Sequence, residues 1–454
     1  MRSRDLGLAM LCVAACSVPE VHYREFETVL ELPAVPNRDL DLLFVIDNSA
    51  AMDPKQQSFA TDFPKFLEQL RAGEDELPNL HLGVVSTDMG TSGSGPANPA
   101  PPIGSIGNGG CANFGDDGKL LVGMSPVTGT FLSDTRQPDG TRLTNYTGDL
   151  ATVFGQMVRL GSRGCGFEQS LAAMRAALQP AANPGFLRPT ALLGVVFLTD
   201  EDDCSVKDPA ILGPADMLFG PLASFRCTRF GVTCEVDGQD PAAMNAVGVK
   251  DRCTASATSM FVDDVVGFHA FLAGLKPDPR NVFVGGIVGD PQPVAIELDI
   301  PPQGGAPVPT LTHSCSFNRA GALEVADPAV RMKAFFDLFP DRSAFSSICQ
   351  SDLTGPFQQL GQLVLRTVGN PCVTVPVVDI DPDQPGPQVD CVVEDLLGGT
   401  AIPIEPCGPD PTSPCWRLQP NLTICPAADH LKLSVERAEP VDPATATRMR
   451  CRLL

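Results

Sequence analysis

The sequence predicts an α/β protein: a doubly wound, mostly parallel sheet with long loop insertions, followed by a small disulfide-rich β module. Three observations carry this expectation. Continuous apolar runs stop abruptly at an acid in Leu42–Asp47, Ala191–Asp200 and Asn281–Asp290, as strands buried on both faces do. Stretches with apolar residues at helical spacing separate these runs. From Pro371 onward Cys372, Cys391, Cys407, Cys415, Cys425 and Cys451 fall among many prolines, the texture of a stapled module.

Taken in order, Arg2 and Arg4 precede an apolar run, Leu6 to Ala15, that is too short to span a bilayer. It ends in Val13-Ala14-Ala15-Cys16, which resembles a bacterial lipobox. That resemblance implies cleavage before Cys16 and a lipid anchor on it, so residues 1–16 read as a signal segment. No later stretch supplies the ~18 uninterrupted apolar residues of a spanning helix. The expected location is the cell envelope, at the outer membrane, periplasm or cell surface, with the anchor as the only membrane attachment. Residues 17–38, closed by Pro33 and Pro36, read as a tether.

Residues 39–370 then alternate strands and helices. After the first strand, Asp53 and Pro54 open a helix with Phe59, Phe63, Phe66, Leu67 and Leu70 on its stripe. Leu80–Ser86 reads as a second strand ending in Thr87-Asp88. Residues 90–150 lose all periodicity, and a loop of that length leaving a strand end is expected to lie over the C-terminal face of the sheet. Phe167, Leu171, Met174 and Leu178 mark the next helix. A cysteine-bearing insertion, 204–255, follows the Ala191–Asp200 strand. Helices near 259–275 and 354–368 flank the last strand, and residues 371–454 form the β module, with Trp416 expected in its core.

The segment Asp47-Asn48-Ser49-Ala50-Ala51 resembles the Asp-x-Ser-x-Ser motif of von Willebrand factor A (vWA) domains, with Ala51 where the second serine belongs. Together with Leu198-Thr199-Asp200 and the order of elements, this resemblance covers residues 39–370 and implies a Rossmann-like vWA fold. Gly164-Cys165-Gly166-Phe167-Glu168-Gln169 and Leu198 to Ser205 look like a subgroup of secreted bacterial vWA proteins. Carried over by position, Asp47, Ser49 and Asp200 match a metal-ion-dependent adhesion site. The family's threonine before the middle helix has no clear counterpart: Ser162 is a nearby but misaligned hydroxyl, and Glu168 could substitute as a carboxylate. Asp202 and Asp203, beside Glu201, could add oxygens that favour calcium. Hard cations need about six or more oxygens, so Mg2+ or Ca2+ would bind weakly. The competing reading has Asp47 capping strand ends and Glu201–Asp203 capping a helix or turn.

Fourteen cysteines lie beyond the signal segment: Cys111, Cys165, Cys204, Cys227, Cys234, Cys253, Cys315, Cys349, Cys372, Cys391, Cys407, Cys415, Cys425 and Cys451. Their even number and wide spacing predict disulfides in an oxidising compartment rather than a zinc site. A net charge of −22 argues against nucleic acid and against docking on anionic lipid. No Gly-x-Ser-x-Gly, Walker loop or His-Glu-x-x-His is present, so no enzymatic activity is expected. The resemblance implies binding or adhesion to a protein ligand through the metal face. The alternatives are a metal-free structural component of an envelope assembly and, less favoured, a metal-assisted hydrolase.

Overall fold

The computed structural model describes residues 26–453 except 35–36, 73–75, 236–242, 301–303, 320, 370, 374, 382, 385–387, 410–412, 422–424, 426–430 and 443. Residues 1–34 with 371–454 form one unit and residues 35–370 the other.

Strand β1 (Phe26–Pro33) corrects the expected tether. It pairs antiparallel with a strand of the C-terminal module, and Val29, Leu30 and Leu32 pack on that module's apolar cluster. A solvated tether has no use for such an alternating apolar set, which a sheet edge buries. Of the expected tether, residues 17–25 and 35–36 lie outside the described residues.

In the larger unit, β2 (Asp39–Ile46), α1 (Asp53–Ala72) and β3 (Asn79–Ser86) come first. The stretch 90–150 is not all loop: β4 (Leu132–Arg136) and β5 (Arg142–Thr144) extend the sheet edge antiparallel. Their polar composition hid them, since only Leu132 is fully buried among the apolar residues there. Next are α2 (Leu150–Met157), α3 (Ser170–Ala177) and β6 (Leu192–Leu198). The insertion holds α4 (Asp216–Phe219), α5 (Phe225–Gly231), β7 (Val232–Thr233), β8 (Gly248–Lys250) and β9 (Thr254–Ala255). Helix α6 (Val265–Ala273) and β10 (Val282–Val288) precede three short strands and a fourth, β11 (Val294–Asp299), β12 (Val308–Leu311), β13 (Cys315–Arg319) and β14 (Ala322–Ala326). Helix α7 (Val330–Asp337), β15 (Ser343–Ser347) and α8 (Thr354–Gly369) end the unit.

The main sheet runs β15-β10-β6-β2-β3-β4-β5, and its first five strands are parallel neighbours. Period-two alternation divides each central strand between two cores. Leu42, Phe44 and Ile46 of β2 join the cluster of α1, α2 and α8, whereas Leu43 and Val45 join that of α3, α6 and α7. Glycines make room where rings cross the sheet: a Cβ on Gly194 would lie 2.3 Å from Phe283, and one on Gly286 2.3 Å from Phe336. This is a mixed α/β architecture.

The smaller unit adds β16 (Cys372–Val373), β17 (Cys391–Leu397), β18 (Thr400–Pro406), β19 (Cys415–Pro420), β20 (Leu431–Glu436) and β21 (Ala446–Arg452). With β1 they form one sheet, ordered β1-β21-β17-β18-β19-β20-β16, over a cluster that includes Trp416.

All fourteen expected cysteines are paired. The larger unit holds Cys111–Cys165, Cys204–Cys227, Cys234–Cys253 and Cys315–Cys349; the smaller holds Cys372–Cys425, Cys391–Cys451 and Cys407–Cys415. Such a set belongs to an oxidising, extracytoplasmic compartment. Among the described residues, no helix is long and apolar enough to cross a membrane.

Candidate functional site

Strand β2 ends at Ile46, yet Asp47, Asn48 and Ser49 beyond it are also buried. Asp47 builds the turn itself, its Oδ1 accepting the Ser49 backbone N–H at 2.8 Å. Its own N–H donates to the Leu198 carbonyl at 2.9 Å, which sets Asp47 level with the end of the neighbouring strand β6. The Thr199 hydroxyl donates to Asp47 Oδ2 at 2.7 Å. On the other side, Thr87 N–H donates to the Ile46 carbonyl at 3.2 Å. Three adjacent parallel strand ends therefore meet here, where open α/β sheets place their ligands.

Two further segments close over them. Gln56 of α1 donates to the carbonyls of Asp47 (2.7 Å) and Gly161 (2.9 Å) and accepts the Gly161 N–H (2.9 Å). Gly164 N–H donates to the Asn48 carbonyl at 2.8 Å, and a Cβ at Gly164 would lie 2.0 Å from Asn48 Oδ1, so only glycine fits. The Cys111–Cys165 disulfide and the Cys165 N–H on Asp88 Oδ2 (3.1 Å) hold the same loop. Glu168 follows, buried, and its carbonyl accepts the Cys204 N–H at 2.7 Å.

Asp47, Ser49, Glu168 and Asp200 are thus all buried around these strand ends. Ala51 is exposed and contributes a carbonyl rather than a side-chain oxygen, accepting from Lys55 Nζ at 3.3 Å. The same ammonium is 2.7 Å from Asp200 Oδ2. Neither oxygen of Glu168 meets a nitrogen or hydroxyl donor, its side-chain neighbour being the Glu201 carboxyl, and Asn48 Oδ1, Thr87 Oγ1 and Ser170 Oγ are unpartnered. Unmatched buried oxygens are costly, so such a group is a place to look for a ligand.

The electrostatics follow from crowding acids out of water. Burial, reinforced by Asp200, pushes Asp47 up to about 7 against its hydrogen bonds from Ser49 and Thr199. Burial likewise drives Glu168 well above the carboxylate range, with Glu201, Asp47 and Asp200 adding to the effect. Glu201 is pushed up to about 8 by burial and by the acids Asp327, Asp200 and Asp47, against its hydrogen bond with Glu168. Two carboxyls face to face bond only through a shared proton, or share a cation.

Asp202 and Asp203 are not at this face as ligands; they are tied into helix caps. Asp202 accepts the Arg331 N–H (3.0 and 2.9 Å) and Met332 N–H (3.1 Å) at the start of α7. Asp203 accepts the Leu171 N–H of α3 at 2.9 Å and pairs with the Arg331 guanidinium at 2.9 Å. Their oxygens are spent on orphan helix N–H groups, which favour anions. Sequence reasoning passed over Lys55 and Gln56. Both are buried, and Lys55 lies four residues before Phe59 on the apolar stripe of α1, a signal that was available.

Asp47, Ser49 and Glu168 bring to these strand ends the hard oxygen donors that a divalent cation takes, whereas Asp200 already holds an ammonium. Among the described residues, the tight three-ligand group of His, Cys, Asp or Glu is instead Cys407, Cys415 and Glu436. Its cysteines are joined in a disulfide and offer no thiolates.

No family model and no curated protein matches the chain. Among solved structures it is similar to the pilus adhesin SpaC from Lactobacillus rhamnosus GG, at 10% identity and TM-score 0.31, over 93% of this chain and 40% of that one. A second is the pilus adhesin RrgA from Streptococcus pneumoniae, at 11% identity and TM-score 0.30, over 94% of this chain and 58% of that one. A third is a von Willebrand factor type A protein from Catenulispora acidiphila, at 11% identity and TM-score 0.27, over 95% of this chain and 67% of that one. The chain spans less than two thirds of the length of the two adhesins. Likeness of this degree carries no argument for fold, activity or partner.

Proposed function

We propose that this chain is an exported vWA-type lipoprotein that binds a protein ligand through the C-terminal face of a doubly wound, Rossmann-like sheet. Its binding centre is a degenerate metal-ion-dependent adhesion site. The observation that carries this reading is Glu168, buried beside the polar ends of β2 and β6 with another carboxyl, that of Glu201, rather than a nitrogen or hydroxyl donor, facing it. Asp47, Ser49 and Glu168 would hold Mg2+ or Ca2+, with Asp200 as a further oxygen source. Thr199 and the Ser49 N–H orient Asp47 for that task. A bound cation supplies positive charge at which an acidic side chain of the partner can complete the coordination. With Ala51 lacking an oxygen, affinity for the ion alone is weak.

Calorimetry with Mg2+ and Ca2+ on the full chain tests this. The wild type should bind weakly, and Asp47→Ala should abolish binding while the fold is kept. Identical titrations would mean a vWA scaffold whose metal site is lost. That second reading, a metal-free structural component of an envelope assembly, is favoured by the Lys55–Asp200 ion pair. The reading is non-enzymatic.

Cys16 and its lipobox lie outside the described residues. Cys16→Ser is expected to move the protein from the membrane pellet to the soluble fraction, because a single lipid anchor is the attachment proposed. Unchanged membrane retention would rule the anchor out.

A further inference from the structure

We infer that Lys55 is the resident cation of this face: its ammonium occupies Asp200 and sets how weakly a divalent ion binds at Asp47, Ser49 and Glu168. The inference rests on the reading of this face as a cation site and names the residue that regulates it.

The position of Lys55 is costly unless it serves the acids. It lies in the first turn of α1, where the helix dipole disfavours a cation, and its side chain is 2% exposed. A buried ammonium persists only when paired and hydrogen-bonded. Both demands are met by acceptors of the site: Asp200 Oδ2 at 2.7 Å and the Ala51 carbonyl at 3.3 Å. Ala51 stands where a hydroxyl ligand would complete the motif. A missing metal ligand and an added ammonium thus occur together, one helical turn apart. Other buried oxygens of these strand ends stay without an ammonium or N–H donor: those of Glu168, which meets the Glu201 carboxyl, with Asn48 Oδ1 and Thr87 Oγ1. A divalent ion drawn to them meets a like charge on the neighbouring carboxylate, and the repulsion is strong in a site closed to water.

The test uses full-length protein, with calorimetry against Mg2+ and Ca2+ as sole probes. Lys55→Met removes the charge while keeping the length of the stem. Lys55→Gln keeps a donor for Asp200 and decides the matter if the methionine variant fails to fold. Binding should tighten at least tenfold in the folded variant, and adding Asp47→Ala should erase the gain. Lys55→Arg, which keeps the charge, should titrate as wild type. A folded, neutral variant that binds no tighter than wild type overturns the inference, even if wild-type binding still depends on Asp47. Binding that appears only in the neutral variants, and depends on Asp47, upholds the inference and removes metal from the native function. Tightening in Lys55→Arg would also overturn it.

Discussion

Replacing Arg331 by methionine is expected to cost about 3–5 kcal/mol of stability, the range found when a buried pair loses one partner. Arg331 and Asp203 are both 0% exposed. The guanidinium gives Nη2 to Asp203 Oδ2 (2.9 Å) and to the Asp263 carbonyl (2.7 Å), and Nε to the Asp203 carbonyl (2.9 Å). Methionine fills much of the space but leaves the Asp203 charge in the interior. Urea denaturation of both forms would measure the loss, and Arg331→Met with Asp203→Asn should recover part of it. A loss below about 1 kcal/mol would place the pair with exposed ones such as Lys65–Glu68, which contribute little. The stakes are local to the site as well. Asp202 and Asp203 fasten the segment that follows Asp200, so loosening them should also weaken any cation response that Asp47→Ala abolishes.

Reduction of the disulfides is expected to unfold the smaller unit before the larger. Among the described residues its apolar cluster has nine buried members, against thirty-two in the α1 side of the main sheet alone. Three disulfides supplement that small core, and each native bridge in such a unit contributes about 2–5 kcal/mol. The sequence contains a single tryptophan, and Trp416 sits in this cluster at 5% exposure. Its emission should therefore shift to the red on reduction while helical circular dichroism, which among the described residues arises in the other unit, persists. Non-reducing mass spectrometry should return the seven pairs. Unchanged Trp416 emission after full reduction would show that the core needs no staples.

The strands β2, β3, β6 and β10 were legible because a strand buried on both faces is mostly apolar, and each has a polar stop. Helices α1 and α8 were legible from their stripes. By contrast, α2 and α7 went unread. Helix α2 is eight residues long and buried on most sides, so its stripe has no polar contrast, and α7 carries Arg331 in its buried set. At the site, Asp47, Ser49 and Asp200 followed from strand ends, and Glu168 from its place before α3. The run Glu201-Asp202-Asp203 misled for a physical reason: an acid that caps a helix and one that binds a cation are the same residue type. Their difference lies with Arg331, 128 positions away for the bond to Asp203, a separation that local pattern cannot see.

The pairing of β1 with β21 carries Phe26 opposite Arg452, a separation of 452 − 26 = 426 positions. In a chain made from the N-terminus, β1 precedes its partner strand by the whole of the larger unit, which has a core of its own. Its sheet can assemble only after β17 and β21 have followed. The smaller unit therefore forms late, by closing a long loop, and that search is slow and open to mispairing in the meantime. Truncation before β21 should accordingly strand Leu30 and Leu32 in solvent, giving a folded α/β unit that carries an adhesive N-terminal strand.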